Sequence, residues 1–305
     1  MKVFVTGATG YIGRAVAEAF RRKGHQVAGL TRSAAKAAEL DAREIEPVVG
    51  DMRDYSTWEK GASGADVHVH CAVEYGAEYQ ALDRATVEAL LGLGGRLIYT
   101  SGVWQYGPCG DAPVDETDAF TGKPLLPWRS DHEELVMLSR GLVIRPGCVY
   151  GATGGLTALW FEGAAEKKAA PIVGEGNNRW AMIHRDDLAE LYVRAAERGA
   201  DGALFNGADR SRQTVREMAS AASRAAGAEG ALQSLTLGAA EKRWGDGARP
   251  GPRPAHRLLE GDALPRLGAP LRGLRPARRP PPRLLEGGPP GAPGVIAILT
   301  AQQNG

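Results

Sequence analysis

The sequence predicts an α/β protein: a doubly wound parallel sheet with helices on both faces, and a small interspersed C-terminal lobe. Three observations lead there. An apolar run near the start, Val3-Phe4-Val5, passes into a glycine-spaced turn, Gly7-Ala8-Thr9-Gly10-Tyr11-Ile12-Gly13, and then into a helical pattern. Strand-like and helix-like runs then alternate to about residue 151, as they do in a parallel sheet covered on both sides. Beyond that point the regular alternation stops, so the remaining elements are interspersed around the sheet.

Taken in order, strands are expected at 2–6, 26–31, 47–49, 66–71, 96–101 and 142–145, and helices at 12–23, 33–40, 56–61, 78–92 and 129–139. The first helix places Ile12, Val16, Ala19 and Phe20 at i, i+4, i+7 and i+8, one apolar stripe. After residue 152 comes a helical patch from Leu156 to Lys168, then Pro171-Ile172-Val173, a short strand at Ala203-Leu204-Phe205 and a helix from Thr214. Thr214 and Glu217 there fit a capping box. The domain reading is 1–151 for the sheet, 152–244 for the rest of the sheet and the smaller lobe, and 245–305 for a tail.

The glycine turn sits between a first strand and a first helix, the context in which it binds a dinucleotide in a Rossmann-type sheet. Gly7 permits the tight turn, Gly10 lets a pyrophosphate approach the backbone, and Gly13 lets the helix pack close. The helix N-terminus then offers free N–H groups and partial positive charge to the phosphates. The second strand ends in Thr31-Arg32-Ser33. A site for NAD places Asp or Glu about 20 residues after the glycines, on the ribose hydroxyl. Here Arg32 stands there, flanked by hydroxyls including Ser33, so NADP is favoured over NAD; the alternative is a solvated surface arginine.

Other stretches now gain meaning. Gly50-Asp51-Met52-Arg53-Asp54, Asp66-Val67-His68-Val69-His70-Cys71-Ala72, Ile98-Tyr99-Thr100-Ser101-Gly102, Ile144-Arg145-Pro146-Gly147-Cys148-Val149-Tyr150-Gly151 and Ile183-His184-Arg185-Asp186-Asp187-Leu188-Ala189 follow in that order. Together with the glycine turn they resemble the short-chain dehydrogenase/reductase superfamily, in its extended or atypical, epimerase/dehydratase-like branch, from Met1 to about Gly227. The resemblance implies that Asp51, beside Met52, meets the adenine, and that Cys71, Ala72 and Val73 run beneath the cofactor. It implies a catalytic hydroxyl at Thr100 or Ser101, and Pro146, Gly147 and Val149 near the nicotinamide. The smaller lobe would hold the substrate.

The superfamily's usual Tyr-x-x-x-Lys pair is missing. Its place reads Trp128-Arg129-Ser130-Asp131-His132, and an indole is no acid or base near neutral pH. Substitutes are Thr100 or Ser101 on a substrate carbonyl, Tyr106 as the nearest phenol, and His132 as a base or ribose contact. Each has a plainer reading: Tyr106 as a loop tyrosine, His132 as a helix-surface histidine beside Asp131, Glu133 and Glu134. Glu74, Arg129 and Arg179 are substrate candidates; a charged helix start and solvated arginines are the alternatives. Trp104, Trp128, Trp160 and Trp180 fit a substrate pocket or ordinary core equally well. His68 and His70 lack further ligands at metal spacing, so no metal is expected.

The expected function is an NADP-dependent oxidoreductase or epimerase/dehydratase-like enzyme on a small carbonyl or alcohol, a sugar derivative among them. The rival is a non-catalytic NADP-binding redox sensor with a protein partner. A formal net charge of +1 gives no bulk attraction to nucleic acid or membrane, and no apolar run reaches the length of a span. Three cysteines without metal spacing, and the lack of a charged-then-apolar leader, lead to the expectation of a cytoplasmic protein; a homodimer stays open. From Gly245 the chain turns to Pro, Gly, Arg and Leu, with most of its 19 prolines. A disordered tail or, preferably, a reading-frame shift in a GC-rich gene explains this, and residues 245–305 are not expected to pack.

Overall fold

A computed structural model describes residues 1–74, 78–107, 109, 113–120, 124, 126–244 and 266–267. Its elements follow the predicted order closely. They begin with β1 (Lys2–Thr6), α1 (Tyr11–Arg22), β2 (Gln26–Thr31), α2 (Ala34–Asp41), β3 (Glu46–Val49), α3 (Glu59–Ala62), β4 (Val67–His70), α4 (Tyr79–Gly92) and β5 (Arg96–Thr100). Next come β6 (Pro113–Val114), α5 (Trp128–Leu138), β7 (Leu142–Pro146), β8 (Cys148–Tyr150), α6 (Ala158–Lys167), β9 (Ala170–Val173), β10 (Met182–His184) and α7 (Arg185–Arg198). The chain then runs through β11 (Leu204–Gly207), α8 (Val215–Ala225), β12 (Leu232–Leu235), α9 (Leu237–Trp244) and β13 (Arg266–Leu267). One predicted helix, 56–61, is divided: a 3-10 turn at Tyr55–Thr57 precedes α3, because Asp54 caps the turn and Trp58 departs from helical geometry.

Seven strands form one parallel sheet in the order β11-β7-β5-β4-β1-β2-β3. Strand order reverses between β1 and β4, and a crevice opens at such a switch point beyond the carboxyl ends of the strands. The alternation along β1 explains the two-sided core. Val3 and Val5 point into a cluster with α1 and α7, while Phe4 points into another with Trp58, Val87 and Val136. A separate small core joins α6, α8, β9 and β10 around Trp160 and Trp180, which stack with centroids 5.5 Å apart. Those two tryptophans therefore pack the smaller lobe instead of lining an open pocket. Thr214 and Glu217 form the predicted capping box on α8.

Two buried polar clusters fix α5 against the sheet. Glu133 takes Arg145 of β7 in a two-pronged pair, 2.5 and 3.0 Å, with the guanidinium packed against the rings of Tyr106 and Phe120 at 4.7 and 5.1 Å. Asp83 of α4 accepts from His132 of α5 at 2.7 Å and from the Tyr99 hydroxyl of β5 at 2.8 Å. His70 of β4 approaches its other oxygen at 3.4 Å and shares a 2.7 Å hydrogen bond with Thr6 of β1. His68 bonds the Gly94 carbonyl at 2.9 Å, so the two strand histidines have separate partners.

Among the described residues no helix is long and apolar enough to cross a membrane. The expectation for residues 245–305 falls outside the described residues, apart from Arg266–Leu267, which pairs in parallel with Pro113–Val114.

Removing one partner of the buried Glu133–Arg145 pair leaves a charge without compensation. Glu133→Ala is expected to destabilise the fold by about 3 kcal/mol or more in urea unfolding; a loss under about 1 kcal/mol would show Arg145 satisfied by other groups. Burial works to raise the Asp83 carboxyl, but His132 and His70 outweigh it and hold it well below the ordinary carboxylate range. A depressed carboxylate stabilises the fold above its unfolded value of about 3.9, and that stability is lost as pH falls through the lower folded value. Asp83→Asn should therefore lower stability at pH 7 and flatten the decline below about pH 4, measured by denaturation at stepped pH.

Candidate functional site

The glycine turn is built by close backbone contact. Gly7 has φ +70, and a Cβ there would lie 2.8 Å from the Ala72 nitrogen at the end of β4. A Cβ on Gly13 would stand 2.2 Å from the Gly7 carbonyl oxygen, so Gly13 seats the helix on the turn itself and not on the strand. Gly10 differs: a Cβ there meets only the Gly7 carbonyl, at 3.1 Å, and Gly10 caps α1 without any side-chain hydrogen bond. The first-turn N–H groups are thus left for an anion. Ala8 is buried beneath the turn, and Thr9 holds Arg14 through its carbonyl. The Tyr11 side chain turns toward the smaller lobe: its hydroxyl donates to the Gly151 carbonyl at 2.6 Å and Arg185 lies over its ring. Burial pushes that phenol up to about 12. Only the backbone of Tyr11 remains available to a phosphate. Ile12 packs against the main core.

At the end of β2 the structure changes the sequence reading. Arg32 is exposed as expected, yet an acid is present: Glu74, after β4, bonds Arg32 at 2.7 Å. Glu74 also reaches Arg53 at 3.3 Å, and Arg53 in turn lies 3.5 Å from Asp51. Glu74 is expected from sequence among the substrate contacts; it is instead taken up by two arginines, Arg32 after β2 and Arg53 after β3, which reach it across the end of β1. The Asp51 carboxylate accepts from the Arg53 backbone at 2.9 Å. Met52 packs on the sheet, Val73 is exposed beside Glu74, and Ser33 caps α2 by accepting from Lys36 at 3.4 Å.

At the end of β5 the hydroxyls divide. The Thr100 hydroxyl is 2.6 Å from that of Tyr192 on α7 and donates to Cys71 at 3.4 Å. It is engaged by those two side chains, which counts against the catalytic hydroxyl role expected of it from sequence. Burial pushes the Cys71 thiol up to about 11, so it stays protonated. Ser101 is buried too, but its hydroxyl has no partner among the described residues. Beside it, Arg129 donates to the Thr100 carbonyl at 3.3 Å, stacks 5.3 Å from the Trp128 ring and keeps its Nε buried without a partner.

Three further candidates are corrected. Tyr106 is fully buried rather than a loop tyrosine, its hydroxyl donates to the Asp115 carbonyl at 3.1 Å with Asn206 equally near, and burial raises its phenol. His132 is buried rather than on the helix surface, its Nδ1 held by Asp83; it also borders a cavity of about 430 Å³ with Glu78, Gln80, Ala81, Arg84 and Asp131. Arg179 donates to the Arg212 carbonyl at 2.9 Å, bracing the smaller lobe. Trp128 is buried against Tyr79 and His132. Pro146 ends β7 at the crevice and Gly147 follows it; a Cβ on Gly147 would lie 2.5 Å from the Ala181 carbonyl. The Val149 side chain enters the main core. Sequence reasoning passes over Arg53, though it lies inside the Gly50–Asp54 stretch, and over Asp83, which has no sequence signal.

Residues 3–207 match the family model described as the NAD dependent epimerase/dehydratase family. The chain is 31% identical over 67% of its length to a 3-diazoavenalumate denitrifying reductase of a Streptomyces species, covering 75% of that protein. It is 26% identical to a 4-hydroxy-2-methyl-3-oxo-4-farnesyl-3,4-dihydroquinoline-1-oxide ketoreductase of Stigmatella aurantiaca, over 67% of each chain. In fold it is similar to the UDP-glucose 4-epimerase of Thermus thermophilus solved in complex with NAD, with TM-score 0.69 at 21% identity over 90% of this chain and 94% of that one.

The space at Gly10 gives a direct test. Gly10→Val should abolish binding of NADPH and NADH in calorimetric titration while the far-UV spectrum stays unchanged, since its branched side chain would enter the phosphate path. Normal binding by the variant would show that the turn does not cradle the pyrophosphate.

Proposed function

The chain belongs to the NAD dependent epimerase/dehydratase family, and we propose that it is an NADPH-dependent reductase that converts a small ketone to the alcohol. The cofactor reading is supported by the phosphate end, where no side chain caps α1 and Gly10 carries no Cβ beside the Gly7 carbonyl. When bound, the nicotinamide supplies the hydride. Arg32 and Arg53 together favour a 2′-phosphate at the ribose end. The ketoreductase relative supports a carbonyl substrate.

The observation that carries the reading is the Ser101 hydroxyl, buried and without a partner among the described residues. A buried polar group left unbonded costs roughly 1–3 kcal/mol, which a substrate oxygen would recover. Ser101 then donates to the carbonyl oxygen, and Arg129 beside it suits a substrate with an acceptor or anionic group nearby. The carbonyl carbon takes the hydride and, in this reading, the oxygen takes a proton from water, since the Trp128 indole is no acid near neutral pH and the Tyr106 hydroxyl is bonded to Asp115 and Asn206. The lack of a Tyr-x-x-x-Lys pair on α5, where Trp128 and His132 stand, also supports a second reading, a cofactor-binding sensor without turnover.

Loss of NADPH absorbance across a panel of ketones and sugar nucleotides separates the two. Ser101→Ala is expected to lower kcat/KM about 100-fold, and Trp128→Phe to change it only a few-fold. Full turnover in Ser101→Ala would remove Ser101 from the site; tight NADPH binding with no turnover on any ketone would favour the sensor. NADPH should bind at least about tenfold tighter than NADH, and Arg32→Ala should erase that difference.

A further inference from the structure

We propose that Glu74 is a resident counter-ion standing where the 2′-phosphate binds, and that it sets how strongly the protein prefers NADPH to NADH; this rests on the cofactor reading above. The argument starts from two arginines on different loops. Arg32 follows β2 and Arg53 follows β3, and both reach the same carboxylate from opposite oxygens, Arg32 to Oε1 at 2.7 Å and Arg53 to Oε2 at 3.3 Å. Glu74 is the most sheltered of the three, its side chain 20% exposed against 59% and 53% for Arg32 and Arg53. Two guanidinium groups repel each other unless an anion lies between them. In the free protein that anion is the Glu74 carboxylate.

A bridging carboxylate presents to the guanidinium forks the same arrangement of oxygens that a phosphate does. A 2′-phosphate carries more charge and a third oxygen, so it can take both arginines, but only by separating them from Glu74 and then facing its negative charge. NADH brings a neutral hydroxyl to the same place and leaves the bridge intact. The carboxylate therefore opposes NADPH alone, and it compresses a preference that Arg32 and Arg53 would otherwise make larger. Asp51 lies 3.5 Å from Arg53 and adds to the same opposition from the other side.

The test is calorimetric titration of the full chain with adenosine 2′,5′-bisphosphate, adenosine 5′-monophosphate, NADPH and NADH, in wild type, Glu74→Gln and Glu74→Ala. Both variants should bind the bisphosphate and NADPH about fivefold to tenfold more tightly, and the monophosphate and NADH within about twofold of wild type. No tightening toward the bisphosphate in either variant would overturn the proposal. So would equal tightening toward NADPH and NADH, or a weakened NADH, which would assign Glu74 to the ribose hydroxyl. If wild type binds both dinucleotides equally and Glu74→Gln prefers NADPH, the proposed cofactor falls while the role of Glu74 stands. A preference in wild type that neither variant alters does the reverse.

Discussion

Where the Gly7 carbonyl meets Gly13 there is no room for a Cβ on the helix, and where Gly7 meets Ala72 there is none on the turn. Helix α1 is thereby seated directly on the end of β1, with its N-terminus aimed across the switch point between β1 and β4. Both ends of the crevice depend on that seating. The first turn of α1 is left without a side-chain cap, and Tyr11, carried on the same turn, reaches the Gly151 carbonyl beyond β8. One close backbone contact thus places both the phosphate end of the site and the wall opposite it.

The inner face of α5 explains why the usual catalytic pair has no equivalent. In this chain that face is structural. Trp128 packs on Tyr79, His132 is held by Asp83, and Glu133 neutralises Arg145. Burying a charge or polar group unpaired is costly, so Glu133 and Arg145 neutralise each other and Asp83 accepts from His132 Nδ1, which commits those atoms to the fold. At the helix start and just past the strand end, Arg129 Nε and the Ser101 hydroxyl are buried without a partner among the described residues.

The ribose end obeys a different rule. There the charges are partly exposed and individually weak, so their value lies in selection between ligands more than in stability. Arg32, Arg53, Asp51 and Glu74 balance one another across three loops. A ligand is read by how it disturbs that balance.

The sequence by itself determined the sheet and the glycine turn between β1 and α1. Those depend on local patterns: alternation along β1, the apolar stripe of α1, and glycine at turns whose backbone excludes a Cβ. Element edges moved by a residue or so, and the divided helix near Trp58 depended on a cap that spacing alone does not show. Partnership was decided only in three dimensions. Glu74 read as a substrate contact until the fold brought Arg32 and Arg53 to it; His132 read as a base or ribose contact, or else a surface histidine, until Asp83 arrived from α4; and of Thr100 and Ser101, adjacent in sequence, one found Tyr192 while the other was left without a partner among the described residues. A sequence states which groups are available, but which of them remain free is settled by what the fold packs against each one.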